Sequence, residues 1–279
     1  PRQAEMIVNS PIPVGKITPS SNTRSTLIRA ESNGPVYLAS MAMFSPKTPD
    51  GREQIPSLRE WQYLLVRSGL SGPRDIAPTA LSLANSSGRF FYGRVAGVAR
   101  GSRWTANVTD PGTNELRVPT NGAAISYPIA TLPRGTLGTR QVQSAPMVAR
   151  YPDTAYLAHG NYGVQYSLTL PLANRTASTQ RVAILFQTPL KEDGPSDRLR
   201  FLEPPEERVF FRGPLRLQYL DDDGSAIDRF IHVVQHRGEQ GQPLATLTLQ
   251  PGAKRPVQVN FVYPPDATPP QVLTVQSVR

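Results

Sequence analysis

The second half of the chain alternates apolar and polar residues in the manner of β-strands. In VQYSLTLPL, residues 164–172, apolar side chains occupy the even positions and most polar ones the odd positions. Because successive side chains of a strand point to opposite faces, this pattern predicts a strand with one buried side. Further β-prone segments follow at short spacings, separated by turns such as Asp222-Asp223-Gly224 and Pro251-Gly252. About seven short strands without a helix predict an immunoglobulin-like β-sandwich over residues 155–279.

The clearest helical pattern is SLREWQYLLVRSG, residues 57–69. Ser57 and Glu60 have the spacing of a capping box, in which each side chain accepts a hydrogen bond from the other residue's backbone N–H. Trp61 and the leucines recur on one helical face, so we expect a helix at about residues 57–68, with Trp61 as a core anchor.

The rest of the first half consists of short β-prone segments interrupted by glycine and proline. Small residues around Gly97 favour a bulge or a close approach of two backbones. The opening EMIVNSPIPVG reads as a strand without a local partner, so we expect residues 1–154 to continue a domain begun upstream. The predicted fold class is all-β: a β-rich N-terminal region with one inserted helix, followed by the immunoglobulin-like sandwich.

Composition narrows the class of protein without naming an activity. The 279 residues include no cysteine, which removes thiolate chemistry and cysteine-ligated metals. The formal charge is +9, but the basic residues are scattered among acidic ones, so a nucleic-acid partner is not expected. No apolar run is long enough for a transmembrane helix. A protein outside the cytoplasm would be present here in processed form or as a fragment, because residues 1–4 do not read as a signal peptide.

The most site-like cluster is His159, Asn161 and Tyr162, in a stretch that also contains Gly160 and Gly163. An imidazole, an amide and a phenol together are able to transfer protons and orient a polar ligand, so these three residues are candidate ligand-binding residues. The competing interpretation is a bend that starts the next strand, with Gly160 and Gly163 in unusual dihedrals and the rings packed. We favour the bend, because no acidic residue lies in this stretch to complete a catalytic triad.

Two further patterns resemble metal sites. His232 and His236 are four residues apart, but they lie in a predicted strand, where four residues span about 13 Å, too far for one metal ion. Asp221, Asp223 and Gly224 match part of a calcium loop, although the positions of its first aspartate and of its last glutamate hold Tyr219 and Phe230. A hairpin with an acidic tip is therefore expected, and calcium at Asp221 and Asp223 remains a weak alternative. No cofactor is expected.

The signatures of common enzymes are missing from the chain. It contains no G-x-S-x-G, S-x-x-K, P-loop or G-x-G-x-x-G motif. Carboxylates assembled from loops would still allow glycoside cleavage, because such residues need proximity in space and not in sequence. No catalytic residue is assigned, and a glycan-directed hydrolase is kept as the alternative function.

Several long phrases resemble a cyanobacterial family of secreted proteins of unknown function. They are YGRVAGVARGSRW, LPRGTLGT, QSAPMVARYPDTAYLAHGNYGVQYSLTLPL, QTPLKED, VFFRGPLRL and YPPDATPPQVLTVQ. The resemblance implies an envelope protein, periplasmic or on the cell surface, that lacks its N-terminal part here. It supplies no catalytic residues.

We therefore expect a non-catalytic structural or binding component of the bacterial cell envelope. Its partners would be envelope or membrane-complex proteins and polysaccharide, contacted through strand edges and loops. The sequence does not predict an oligomeric state.

Overall fold

A computed structural model describes residues 33–35, 37, 39, 41, 43–69, 76–101, 103–135, 137, 141–159, 162–191 and 198–278. The chain divides into two compact units, Pro1–Gly72 and Pro73–Arg279. The predicted opening strand lies outside the described residues.

The helix α1, Leu58–Arg67, belongs to the first unit and confirms the capping box. The backbone N–H of Glu60 donates to Ser57 Oγ at 3.3 Å, and the backbone N–H of Ser57 donates to Glu60 Oε2 at 2.6 Å. The expectation that Trp61 is a core anchor is wrong, because Trp61 is only half-buried and α1 has no buried residue. No described residue of the first unit is buried, so there is no core among them to receive the indole.

All strands of the described residues belong to the second unit, which also contains a short 3₁₀ turn at Leu81–Leu83. The strands are β1 Gly97–Ala99, β2 Arg103–Asn107, β3 Leu116–Arg117, β4 Ala124–Ile129, β5 Ala145–Arg150, β6 Leu157–Ala158, β7 Gln165–Ala173, β8 Gln180–Gln187, β9 Val209–Leu220, β10 Ala226–His236, β11 Pro243–Leu249, β12 Lys254–Val262 and β13 Gln271–Val278.

These strands form three sheets. A six-stranded sheet has the order β10-β9-β12-β7-β2, with β3 also paired to β7, and a four-stranded sheet has the order β11-β8-β13-β4. β2 and β3 run parallel to β7, whereas all other pairs are antiparallel. The third sheet has the order β1-β5-β6.

The two larger sheets face each other across one apolar core, which makes the fold an all-β sandwich as predicted. The alternation read from residues 164–172 is confirmed, because Leu168 and Leu170 are buried while Ser167 and Thr169 are half-buried. The pairs β8/β11 and β9/β12 correspond to strands B/E and C/F of an immunoglobulin sandwich. The outer strands differ from that order, since β7 pairs with β12 and β13 pairs with β8.

Strands from both sides of residue 155 share the two larger sheets. β2 and β3 extend the sheet of β7, and β4 pairs with β13. The division into domains 1–154 and 155–279 stays a prediction. The strand pairs named here cross that boundary. Within the described residues, no helix is both long and apolar enough to cross a membrane.

Candidate functional site

His159 follows β6 directly and begins the turn that leads into β7. The backbone N–H of Tyr162 donates to the carbonyl oxygen of His159 at 3.0 Å, and Gly163 adopts a φ of +77°. Beyond this turn the chain pairs with the end of β12, because Gly163 N–H donates to Tyr263 O and Tyr263 N–H donates to Val164 O. The predicted bend is therefore present. Gly160 and Asn161 lie outside the described residues.

The imidazole of His159 packs between two tyrosine rings. Its ring centre lies 5.0 Å from that of Tyr92 and 5.9 Å from that of Tyr162, with both pairs in edge-to-face geometry. The Tyr92 hydroxyl is held by the backbone of Arg134, donating to its carbonyl oxygen and accepting from its N–H. The sequence could not reveal Tyr92 as a neighbour, because it is distant along the chain and carries no motif.

Burial lowers the pKa of His159, because desolvation disfavours the charged imidazolium. Within the described part of the chain, Nε2 is buried and no group hydrogen-bonds to it. No hydrogen bond or ion pair between the ring and a carboxylate is found among these residues, so no described acid orients the imidazole as in a catalytic triad. Ligand binding by His159, Asn161 and Tyr162 stays a prediction.

The aspartates at 221 and 223 form the tip of the β9–β10 hairpin. Both carboxylates accept a hydrogen bond from the backbone N–H of Ser225, each at 2.9 Å. A hydrogen bond between the two carboxyl groups raises the pKa of Asp221 and lowers that of Asp223 to about 2. Asp222 instead accepts from Thr248 N–H and from Arg255 Nη1. The described residues hold no cluster of three or more metal-ligating side chains, and calcium at this tip stays a prediction.

The polar side of the six-stranded sheet presents an extended surface. We call this surface the outer face and define it by ten residues in two rows, which follow the register of the five strands. The first row is Thr105, Ser167, Asn260, Arg216 and Phe230, and the second is Asn107, Thr169, Gln258, Gln218 and Asp228. Neighbouring strands lie about 4.8 Å apart, so each row is about 19 Å long.

One end of the outer face is fixed by a bidentate ion pair. Arg216 Nε and Nη2 donate to the two carboxylate oxygens of Asp228 at 2.8 and 2.6 Å, and Gln218 Nε2 donates to Asp228 Oδ2 at 3.1 Å. The pair lowers the pKa of Asp228 and raises that of Arg216. The guanidinium carbon lies 5.5 Å from the ring centre of Phe230, whose side chain is left 71% exposed.

The centre of the outer face carries hydroxyl and amide groups. Ser167 Oγ and Asn260 Oδ1 are 2.8 Å apart, with the hydroxyl as donor. Gln258 is exposed, and the hydroxyl of Thr169 lies beside it in the register. Planar amides, hydroxyls and one guanidinium offer donors and acceptors side by side, and Phe230 adds an apolar ring at the edge.

Sequence reasoning did not find the outer face. The polar positions of residues 165–169 served only to mark the solvent side of a strand. Their neighbours in the rows come from segments up to 93 positions away, and a cross-strand register over such separations cannot be read from one sequence. The only available signal was the aromatic Phe230 next to the charged residues Asp228 and Arg229.

The fold and the outer face together define an all-β sandwich protein with an extended polar sheet surface. A family model described as a protein of unknown function, DUF3370, matches residues 1–277, and the chain belongs to this family. No curated protein and no solved structure matches the chain.

Proposed function

We propose that the protein is a non-catalytic binding component of the bacterial cell envelope and that its outer face binds polysaccharide. The observation that carries this proposal is the pair of polar rows that ends at an exposed aromatic ring. Amides, hydroxyls and a guanidinium suit the hydroxyl groups of a sugar chain. The face of an aromatic ring has partial negative charge and attracts the C–H groups of a sugar ring.

The chemistry of the outer face favours a glycan over other ligands. Stable protein interfaces have an apolar core, whereas the middle of both rows is polar. Nucleic acid requires unneutralised cations along its path, but Arg216 is already paired with Asp228. A neutral polyhydroxyl chain is the ligand that matches both features. Envelope or membrane-complex proteins would bind elsewhere on the molecule.

The proposed location is outside the cytoplasmic membrane of a cyanobacterium. The support is the resemblance of the long phrases described above to secreted cyanobacterial proteins, and the absence of cysteine is compatible with it. The glycan-directed hydrolase is the alternative, and in the same experiments it would reveal itself by release of new reducing ends.

The proposal is tested by titrating the full chain with hydroxyethylcellulose, dextran and purified peptidoglycan sacculi. We expect at least one of these probes to bind, and Phe230→Ala or Gln258→Ala to weaken that binding about tenfold or more. Binding should persist at high salt, since it does not depend on ion pairs with the ligand.

Tyr162→Ala is the comparison variant, because it removes an exposed aromatic ring at the other candidate binding site, outside the outer face. If Tyr162→Ala weakened binding about tenfold while Phe230→Ala left it unchanged, the binding site would lie at the rings around His159. That result would contradict the proposal. Failure of all three probes to bind would contradict it as well.

A further inference from the structure

We propose that two copies of this chain associate through β10, edge to edge and antiparallel, so that their six-stranded sheets become continuous. β10 has 11 residues and is the terminal strand of its sheet, hydrogen-bonded to β9 alone among the described strands. Among the described residues, its other side therefore presents a row of backbone N–H and C=O groups without a strand partner, which is a template for another strand.

β10 lacks three of the devices that protect an edge strand, namely a short length, a proline and an internal bulge, although it carries the charged residues Asp228 and Arg229. It contains no proline or glycine, and its one register irregularity lies at its end, between Gln235 and His236. The other terminal strands differ. β2 has only 5 residues, β4 includes Pro128, and β11 begins with Pro243. The carbonyl oxygen of Leu244 on β11 also accepts a hydrogen bond from Arg229 Nη2.

The side chains of β10 favour one register for this pairing. In the continuous sheet, the outer faces of both copies lie on the same side only when even-numbered residues pair with even-numbered ones. The two-fold axis must then pass through a residue that lies opposite itself in the second copy. An axis at Asp228 or Arg229 would oppose identical charges, which destabilises a cross-strand pair. An axis at Phe230 avoids such repulsion and places the two phenyl rings directly opposite each other.

The register centred on Phe230 pairs complementary side chains on both sides of the axis, although it also places Arg229 opposite Ile231 of the second copy. On either side of the Phe230 pair, it places Asp228 of one copy opposite His232 of the second copy. The imidazole N–H is able to donate a hydrogen bond to the carboxylate. On the inner side it places Ile227 opposite the second copy's Val233. Aromatic pairs, opposite-charge pairs and β-branched pairs each stabilise adjacent strands. Segment 226–234 would thus pair with itself.

This proposal is independent of glycan binding, although association would join the two outer faces into one surface twice as wide. The first test uses the absence of cysteine from the chain. Directly opposite residues have Cβ atoms about 4.5–5.5 Å apart, close to disulfide geometry. Under mild oxidation, Phe230→Cys should therefore form a covalent dimer, whereas Asp228→Cys and His232→Cys should do so only when the two variants are mixed.

The second test measures dimer dissociation of the full chain by analytical ultracentrifugation. His232→Asp places two like-charge pairs in the interface and should raise the dissociation constant about tenfold, while His232→Lys should lower it. His232 is exposed and has no ion pair within the described residues, so both variants should fold. Gln258→Asp, which adds the same charge in the middle of the outer face, is the control and should have no effect.

A strictly monomeric chain at high concentration would overturn the proposal. So would a dimer that is insensitive to both His232 substitutions, or one in which Phe230→Cys fails to cross-link, because another surface would then hold the copies together. Equal cross-linking of each single cysteine variant with itself would also contradict the register.

Discussion

At the scale of single residues, Tyr166 closes a buried network between the two larger sheets. The ring is fully buried on β7, and its hydroxyl donates to Gln143 Oε1 and accepts from the N–H of Ala130, both at 3.0 Å. Gln143 Nε2 donates in turn to the hydroxyl of Tyr127 on β4 at 3.3 Å, and Trp104 Nε1 on β2 donates to the same hydroxyl at 2.9 Å. Burial raises the pKa of Tyr166, so the phenol keeps its proton and remains a donor.

Removal of this hydroxyl should cost more than an ordinary hydrogen bond. In Tyr166→Phe the N–H of Ala130 loses its partner in a site without solvent, so we expect the free energy of unfolding to fall by about 1–3 kcal/mol. Urea denaturation followed by fluorescence measures the change. Tyr162→Phe, which alters an exposed tyrosine, should leave stability nearly unchanged, and an equal effect of both substitutions would contradict the role of the network.

At Gly97 the sequence predicts a local backbone feature but not the residue that it contacts. The small residues around it favour a bulge or a close backbone approach, and the structure has both. The β1–β5 register shifts between Val98 and Ala99, and a Cβ on Gly97 would lie 2.0 Å from the carbonyl oxygen of Ala149. The sequence could not specify Ala149 as the neighbour, because that contact depends on the path of about 50 intervening residues.

At the scale of elements, the stability of α1 depends on the capping box at its N-terminus, because the helix has no buried residue. Its capping box satisfies two N–H groups, and Ser57→Ala removes one of these bonds, so we expect the first turn to lose about 1 kcal/mol. Faster amide hydrogen exchange at Glu60 and Trp61 measures this loss. Ser68→Ala at the other end is the control, because the cap there uses the backbone N–H of Ser68. Equal acceleration by both variants would show that the side-chain cap is not what holds the helix.

The elements of the second half were easier to predict than those of the first. The strand read at residues 164–172 is found at Gln165–Ala173, because alternation with one buried face leaves little choice of register. The run from Phe90 to Ala99 reads as one strand, yet only Gly97–Ala99 forms a strand, and Arg94 makes an isolated bridge to Thr154. The positive φ of Gly93 and of Gly97 breaks the run, and a glycine's φ cannot be read from its letter.

At the scale of the whole molecule, three distant segments meet at one carboxylate. Glu115 precedes β3, and its side chain accepts from Arg175 Nε and Nη2, just after β7, and from Lys254 Nζ at the start of β12. These hydrogen bonds lower the pKa of Glu115 to about 2 from an ordinary value of 4.5. We call these three side chains, Glu115, Arg175 and Lys254, the clamp. The clamp joins the short parallel strand β3 to the main sheet, so the stability of the fold should depend on the ionisation of Glu115.

The sign of this dependence follows from the lowered pKa. A carboxylate whose pKa is lower in the folded state stabilises the fold above its unfolded pKa and loses that contribution as the pH falls through the folded value. Glu115→Gln should therefore be less stable than the native chain at about pH 7, and the difference should shrink between about pH 4.5 and about pH 2. Urea denaturation across this range measures it, with Glu207→Gln, an exposed glutamate without an ion pair among the described residues, as the control. A difference that stays constant with pH, or one that Glu207→Gln reproduces, would show that the clamp does not act through its charge.

High salt should also reduce the difference in stability between Glu115→Gln and the native chain, since the ions are partly exposed to solvent.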